Sequence, residues 1–80
     1  MKNSFMNYPL FNDVRNPVLR SYNRANIYIN IKERHGSVPA ERYLKKLGRN
    51  ALLEVFTMMK RIHTDGYEQT RRNVMREEIA

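Results

Sequence analysis

Residues 51–62 read A-L-L-E-V-F-T-M-M-K-R-I, and eight of these twelve residues are apolar. The periodicity rests on five side chains that recur at the spacing i, i+3, i+4, i+7 of one helix face: Leu52, Val55, Phe56, Met59 and Ile62. The other apolar residues widen this face beyond the narrow stripe of a surface helix. We therefore expect a central helix over 51–63 whose apolar face is covered by the other helices and by the N-terminal arm.

Length and composition limit the class of protein. The chain has 80 residues and no cysteine, which predicts a single domain without disulfides or thiolate metal sites. No apolar run approaches the roughly 20 residues that cross a membrane, and the N-terminus lacks the apolar core of a secretory signal. We expect a cytoplasmic protein with no membrane partner. A chain this short gains from self-association, so we also expect a homodimer.

The first half of the chain predicts an arm and one helix. Pro9 disfavours regular structure over 1–16, whose aromatic side chains predict an extended arm that packs on the protein's own core or on a partner. Asn16 followed by Pro17 is a helix-start signal, and Gly36 is a stop signal, so we expect a helix over 17–34. The single domain is expected to cover 17–80.

The same stretch carries a competing strand pattern. Isoleucines at 27, 29 and 31 alternate with polar residues, which is typical of a half-buried strand over 26–32. A strand followed by two helices resembles the order of ribbon-helix-helix proteins, in which paired strands of two protomers enter the DNA major groove. That resemblance implies DNA contacts from Asn26, Tyr28, Asn30 and Lys32. We favour the helix because its start and stop signals agree and no second strand is evident for pairing.

The second half predicts three more helices. Ser37 and Gly48 bound a helix over 38–47, and Asn50 is expected to cap the central helix. Asp65 with Glu68 forms an acidic capping box that starts a last helix over 66–78. The sequence thus predicts an all-α fold, a compact bundle of four short helices with an extended N-terminal arm.

Catalysis finds little support in the sequence. There are two histidines and two aspartates, and no glycine-rich phosphate loop. His63 and Asp65 stand at a helix end, where they are expected to meet solvent. A metal site from His35, His63 and Asp65 would require distant loops to converge. We expect no enzyme activity, no cofactor and no metal site.

Charge is the strongest functional signal. The formal net charge is +7, which favours a polyanionic partner. Arg42, Lys45, Lys46 and Arg49 share the spacing i, i+3, i+4, i+7, so they are expected to form one basic helix face that contacts phosphates. The partner is expected to be nucleic acid, and DNA before RNA.

The last helix offers side chains suited to bases. Its outer face is expected to carry Gln69, Arg72, Asn73 and Arg76, and arginine reads guanine while asparagine or glutamine reads adenine. The primary hypothesis is a small DNA-binding regulator that uses Arg72, Asn73 and Arg76 near the bases. The alternative is an adaptor or inhibitor that docks its basic face on an acidic surface of a larger protein.

Overall fold

The computed structural model describes the backbone of residues 8–79 and the side chains of residues 8–77. It contains four helices: α1 Pro17–His35, α2 Ser37–Lys45, α3 Arg49–Asp65 and α4 Tyr67–Ile79. The predicted all-α fold is confirmed. The alternative strand over 26–32 is wrong, because these residues lie inside α1 and the described part of the chain contains no strand. Two apolar residues of the predicted arm, Phe5 and Met6, lie outside the described residues.

The sequence predicted α3 as the central helix, which is wrong: the centre of the bundle is occupied by helix α1. Helices α2, α3 and α4 all pack on it, and α4 also packs on α3. This position explains the alternating isoleucines. In a helix Ile27 and Ile31 share one side while Ile29 faces away from them, and all three are at least partly buried because α1 has neighbours on several sides. An apolar residue at every second position is therefore compatible with a helix that is covered nearly all round.

Helix α3 buries most of the predicted face, since only Phe56 of its five residues is exposed, but the other apolar side chains of the helix are not all covered. Val55, Met58 and Ile62 are buried, whereas Leu53 is 60% exposed and Phe56 is 46% exposed. The expectation that α3 is covered on all its apolar sides is thus wrong. Two polar side chains of α3 form ion pairs with neighbouring helices. Glu54 lies 3.6 Å from Arg20 of α1, and Arg61 pairs at 2.9 Å with Glu77 of α4.

The helix caps agree with the sequence at the start of α1. The side-chain oxygen of Asn16 accepts hydrogen bonds from the backbone N–H groups of Val18 and Leu19 at 2.9 and 3.0 Å. The other three predicted N-terminal caps are wrong, since each of these residues lies inside a helix: Ser37, Asn50 and Asp65. Gly36 alone joins α1 to α2, and Gly66 alone joins α3 to α4. One-residue connections leave no room for a separate capping residue.

These two glycines adopt a conformation that other residues rarely reach. Gly36 has φ +95° and ψ −180°, and Gly66 has φ +85° and ψ 162°. An added methyl group would meet no atom within 4 Å at either position, so any penalty is conformational. We expect Gly36→Ala to lower the free energy of unfolding by about 1–3 kcal/mol. Urea denaturation followed by circular dichroism measures this loss.

Gly48 provides the matched control. Its φ of −74° is ordinary, and an added methyl group again meets no atom within 4 Å. We expect Gly48→Ala to change stability by less than about 0.5 kcal/mol. Equal effects at Gly36 and Gly48 would contradict a conformational origin.

Residues 8–14 pack on the helices of their own chain. Tyr8 and Leu10 lie against the core, and the buried Arg24 donates from Nε to the carbonyl oxygen of Leu10 at 2.7 Å. The hydroxyl of Tyr43 donates to the carbonyl oxygen of Pro9 at 2.8 Å. The arm is therefore joined to α1 and α2 by side-chain donors that bind main-chain acceptors.

Tyr43 should make stability fall at high pH. Burial raises the pKa of Tyr43 to about 12, and the charge of Arg24 opposes part of that shift. Tyrosine in the unfolded chain loses its proton near pH 10. The stabilisation from neutral Tyr43 is therefore complete below about pH 10 and is lost as pH rises toward about 12.

The comparison with Tyr43→Phe isolates this effect. At pH 7 the variant should be less stable by about 1 kcal/mol, because it lacks the hydrogen bond to Pro9. The range from roughly pH 9.5 to 11.5 covers the ionisation of tyrosine in the unfolded chain. Over this range the free energy of unfolding of the parent protein should fall more steeply than that of the variant. Urea denaturation at each pH gives both slopes, and parallel slopes would refute the assignment.

Candidate nucleic-acid interface

The connection between α2 and α3 determines how the predicted basic residues are presented. Helix α2 ends at Lys45, and α3 begins at Arg49. The chain forms a tighter turn after α2. The backbone N–H of Lys46 donates to the carbonyl oxygen of Tyr43 at 3.1 Å, and that of Leu47 donates to the carbonyl oxygen of Leu44 at 3.0 Å. These bonds span three residues and bring Leu47 into the core. The helical register therefore does not continue from Lys45 to Arg49.

The four predicted phosphate-binding residues consequently lie around a corner. Arg42 and Lys45 are on α2, Lys46 is in the connection, and Arg49 is the first residue of α3. The predicted single helix face is wrong in its geometry, but all four side chains are exposed. We call these four residues the basic corner. No described acidic side chain forms an ion pair with Arg42, Lys45 or Arg49.

The N-terminus of α3 lies within the basic corner. Gly48 precedes the helix, no side chain caps it, and its first turn contains no acidic residue. The unpaired backbone N–H groups of a helix N-terminus carry partial positive charge. The positive potential of these N–H groups adds to that of the four cations of the basic corner. Glu41 on α2 precedes Arg42 and carries the opposite charge.

Helix α4 presents the second predicted group. Arg72 and Arg76 are exposed, as a base-contacting role requires. Asn73 is half-buried, and its side-chain oxygen accepts a hydrogen bond from the Gln69 amide at 3.1 Å. The side chains of Gln69 and Asn73 are thus hydrogen-bonded to each other. Each amide therefore has one group fewer available for a base.

The structure does not join the two groups into one cluster. Helix α2 packs on α1, whereas α4 packs on α1 and α3. Arg72 and Arg76 lie on α4, which contains no residue of the basic corner.

Other exposed cations lie outside the two predicted groups of nucleic-acid-binding residues. Arg71 is exposed beside Arg72, because Thr70 and Val74 form the buried face of α4. Lys32 and Arg34 are exposed in the last turn of α1. The ammonium group of Lys32 lies 6.0 Å from the centre of the Tyr28 ring. The spacing of four residues between Thr70 and Val74 is the sequence signal that places both on one face of α4 and Arg71 on its exposed face.

The described part of the chain contains neither a metal-ligand cluster nor a membrane-spanning helix. Among these residues no three histidine or acidic side chains lie close enough together to hold a metal ion. None of the described helices is long and apolar enough to cross a membrane.

Comparison with known proteins adds no assignment. No protein family, no curated protein and no solved structure matches this chain significantly. The function is therefore argued from the exposed charges and apolar side chains of the chain itself.

Proposed function

We propose that the protein is a small DNA-binding regulator whose basic corner contacts the phosphate backbone. The observation that carries this proposal is the exposure of four cations, Arg42, Lys45, Lys46 and Arg49, around the uncapped start of α3. Guanidinium groups donate to phosphate oxygens in pairs, and ammonium groups act as point charges. Four such contacts would account for a sizeable, salt-dependent affinity.

Arg72 and Arg76 form the second part of the proposed interface. Their guanidinium groups are exposed on α4 and have the donor geometry that pairs with guanine. Asn73 belongs to the same proposal only if its hydrogen bond to Gln69 opens on binding. The base contacts therefore depend chiefly on the two arginines.

Removing charge at the basic corner should weaken binding and reduce its salt dependence. We expect wild-type affinity for random duplex DNA to fall steeply between about 50 and 300 mM salt, because bound counterions are released. In the variant Arg42→Gln/Lys45→Gln, the slope of log K against log salt should decrease by about 2, since each phosphate contact in duplex DNA contributes about 0.9. Fluorescence anisotropy of labelled DNA, with RNA as the comparison ligand, measures both slopes.

A charge-matched variant separates site from net charge. Lys32→Gln/Arg34→Gln removes the same two charges from the end of α1 and should change the slope far less. Similar slopes for both variants would show that net charge alone acts. Absence of binding by the wild-type protein at low salt would refute the proposal.

A protein-binding adaptor is the second candidate. It is favoured by the exposure of Leu53 and Phe56, since exposed large apolar side chains beside one another are typical of protein contact surfaces. In this case the basic corner would dock on an acidic protein surface, and Arg42→Glu/Lys45→Glu would abolish a complex that survives nuclease treatment. The homodimer expected from the chain length is a separate prediction, and sedimentation velocity of the purified protein measures it.

A further inference from the structure

The outward face of α3 combines apolar and basic side chains in a regular order. Arg49, Leu53, Phe56 and Lys60 follow the spacing i, i+4, i+7, i+11, which keeps them on one side of the helix. All four are exposed. We call this set the α3 ridge. It presents two large apolar side chains with one cation a turn before them and another a turn after them.

A groove lies on each side of the ridge, one beside Phe56 and the other beside Leu53. One groove separates it from α1 and α2 and is lined by Tyr28, Glu41, Leu44, Lys45, Leu52 and Phe56. The other separates it from the start of α1 and includes Pro17, Val18, Leu53 and Thr57. A ridge between two grooves is the surface that a packed helix uses. The α3 ridge thus has the shape of a helix-packing surface that no described element of this chain covers.

Charge decides between two kinds of occupant. In a symmetric antiparallel contact between two copies, Leu53 would meet Phe56 and Arg49 would meet Lys60. In a symmetric parallel contact, each cation would meet its own copy. Both arrangements oppose like charges at each end of the apolar pair, which is unfavourable. The pattern is instead complementary to a helix that carries acids where the ridge carries cations.

We propose that the α3 ridge binds an acidic amphipathic helix of a partner protein. The complementary helix carries two apolar residues bracketed by acidic residues at the same spacing, i, i+4, i+7, i+11. This spacing reads the same in both directions, so a parallel or an antiparallel partner satisfies it. Two charged residues line the groove beside Phe56. Lys45 attracts an acidic residue of the partner to its own position, and Glu41 repels an acidic residue from its position.

Three labelled peptides of about 18 residues, each long enough to span α3, provide the test. The first carries two leucines and two glutamates in the complementary pattern. The second has lysines in place of the glutamates, and the third contains the residues of the first in scrambled order. Measured by fluorescence anisotropy, the protein should bind the first peptide at least about tenfold more tightly than either of the others.

Variants of the protein locate the binding surface. Leu53→Ala/Phe56→Ala should weaken binding of the first peptide by about tenfold or more, whereas Val38→Ala, which shortens an exposed side chain on α2, should not. Arg49→Glu/Lys60→Glu keeps the apolar pair and should reverse the preference toward the second peptide. Thermal unfolding followed by circular dichroism checks that each variant is folded.

Several outcomes would overturn the inference. Equal binding of the first and third peptides would show attraction by net charge only, and no binding of the first peptide would exclude the proposed partner. A wild-type dimer that Leu53→Ala/Phe56→Ala converts to a monomer would show that a second copy covers the ridge. The test contains no nucleic acid, so its result is independent of the proposed DNA binding.

Discussion

Replacing Ile31 by alanine should lower the free energy of unfolding by about 3 kcal/mol, within the usual 2–5 kcal/mol for this truncation in a packed core. Ile31 is 2% exposed and belongs to the core that α1 forms with its neighbours. The loss combines transfer of the side chain from water with the cavity that remains. At about 0.05–0.15 kcal/mol per residue, this single change removes a large part of the stability of an 80-residue chain.

The same substitution at Ile29 is the matched control. Ile29 lies two residues away on the same helix and is only partly buried, so Ile29→Ala should cost about half as much or less. Urea denaturation of both variants, followed by circular dichroism, gives the comparison. Equal losses at 29 and 31 would contradict the difference in burial between the two side chains.

Replacing Arg24 by methionine should have the second large effect, about 2–4 kcal/mol, since two charge-assisted hydrogen bonds are lost at a buried position. Arg24 is 4% exposed. It donates to the carbonyl oxygen of Leu10 at 2.7 Å and to the side-chain oxygen of Asn12 at 3.0 Å. Burial is the main cause that lowers the pKa of its guanidinium, and the charge of Arg20 adds to this shift.

The nearby carboxylate contributes less to that effect. Glu54 lies 4.0 Å from Arg24 and 3.6 Å from Arg20, and its side chain is 36% exposed, so solvent screens both interactions. Its buried oxygen accepts no hydrogen bond from a described residue. Most of the stabilisation by Arg24 therefore comes from its bonds to the arm.

Arg24→Lys separates charge from geometry. Lysine keeps the positive charge, but it cannot donate in the two fixed directions of a guanidinium, so we expect roughly half the loss seen with methionine. Limited proteolysis should cut residues 8–14 faster in the methionine variant, because the arm detaches more often. Unchanged proteolysis together with unchanged stability would show that the arm does not depend on Arg24.

Local signals in the sequence were sufficient for the helices but not for their environment. Asn16 and Gly36 bound α1 through backbone conformation and local hydrogen bonds, which depend on adjacent residues only. The exposure of Phe56 could not be predicted, because apolar residues cover too wide an arc of α3 for periodicity to choose a face. The ion pairs of α3 with Arg20 and Glu77 join residues far apart in the sequence.

The candidate interface shows the same division. The sequence placed Arg42 and Lys45 on the solvent side of α2, because the apolar residues beside them determine the buried side. The end of α2 at Lys45 escaped prediction, since it depends on how Leu47 enters the core. That turn separates Arg49 from the helix of the other cations and places it at the start of the α3 ridge.

Three of the four acceptors that hold the arm are main-chain atoms, and the fourth is the side-chain oxygen of Asn12. Pro9, Leu10 and Val14 each offer a carbonyl oxygen, to Tyr43, Arg24 and Arg20 respectively, and every residue type has such an oxygen. The identity of those arm residues can therefore drift without removing a hydrogen bond, while the three donors cannot be exchanged freely. Related chains that keep this fold should differ most at the exposed position 9, keep an apolar residue at position 10, which packs on the core, and retain an arginine, an arginine and a tyrosine at the donor positions.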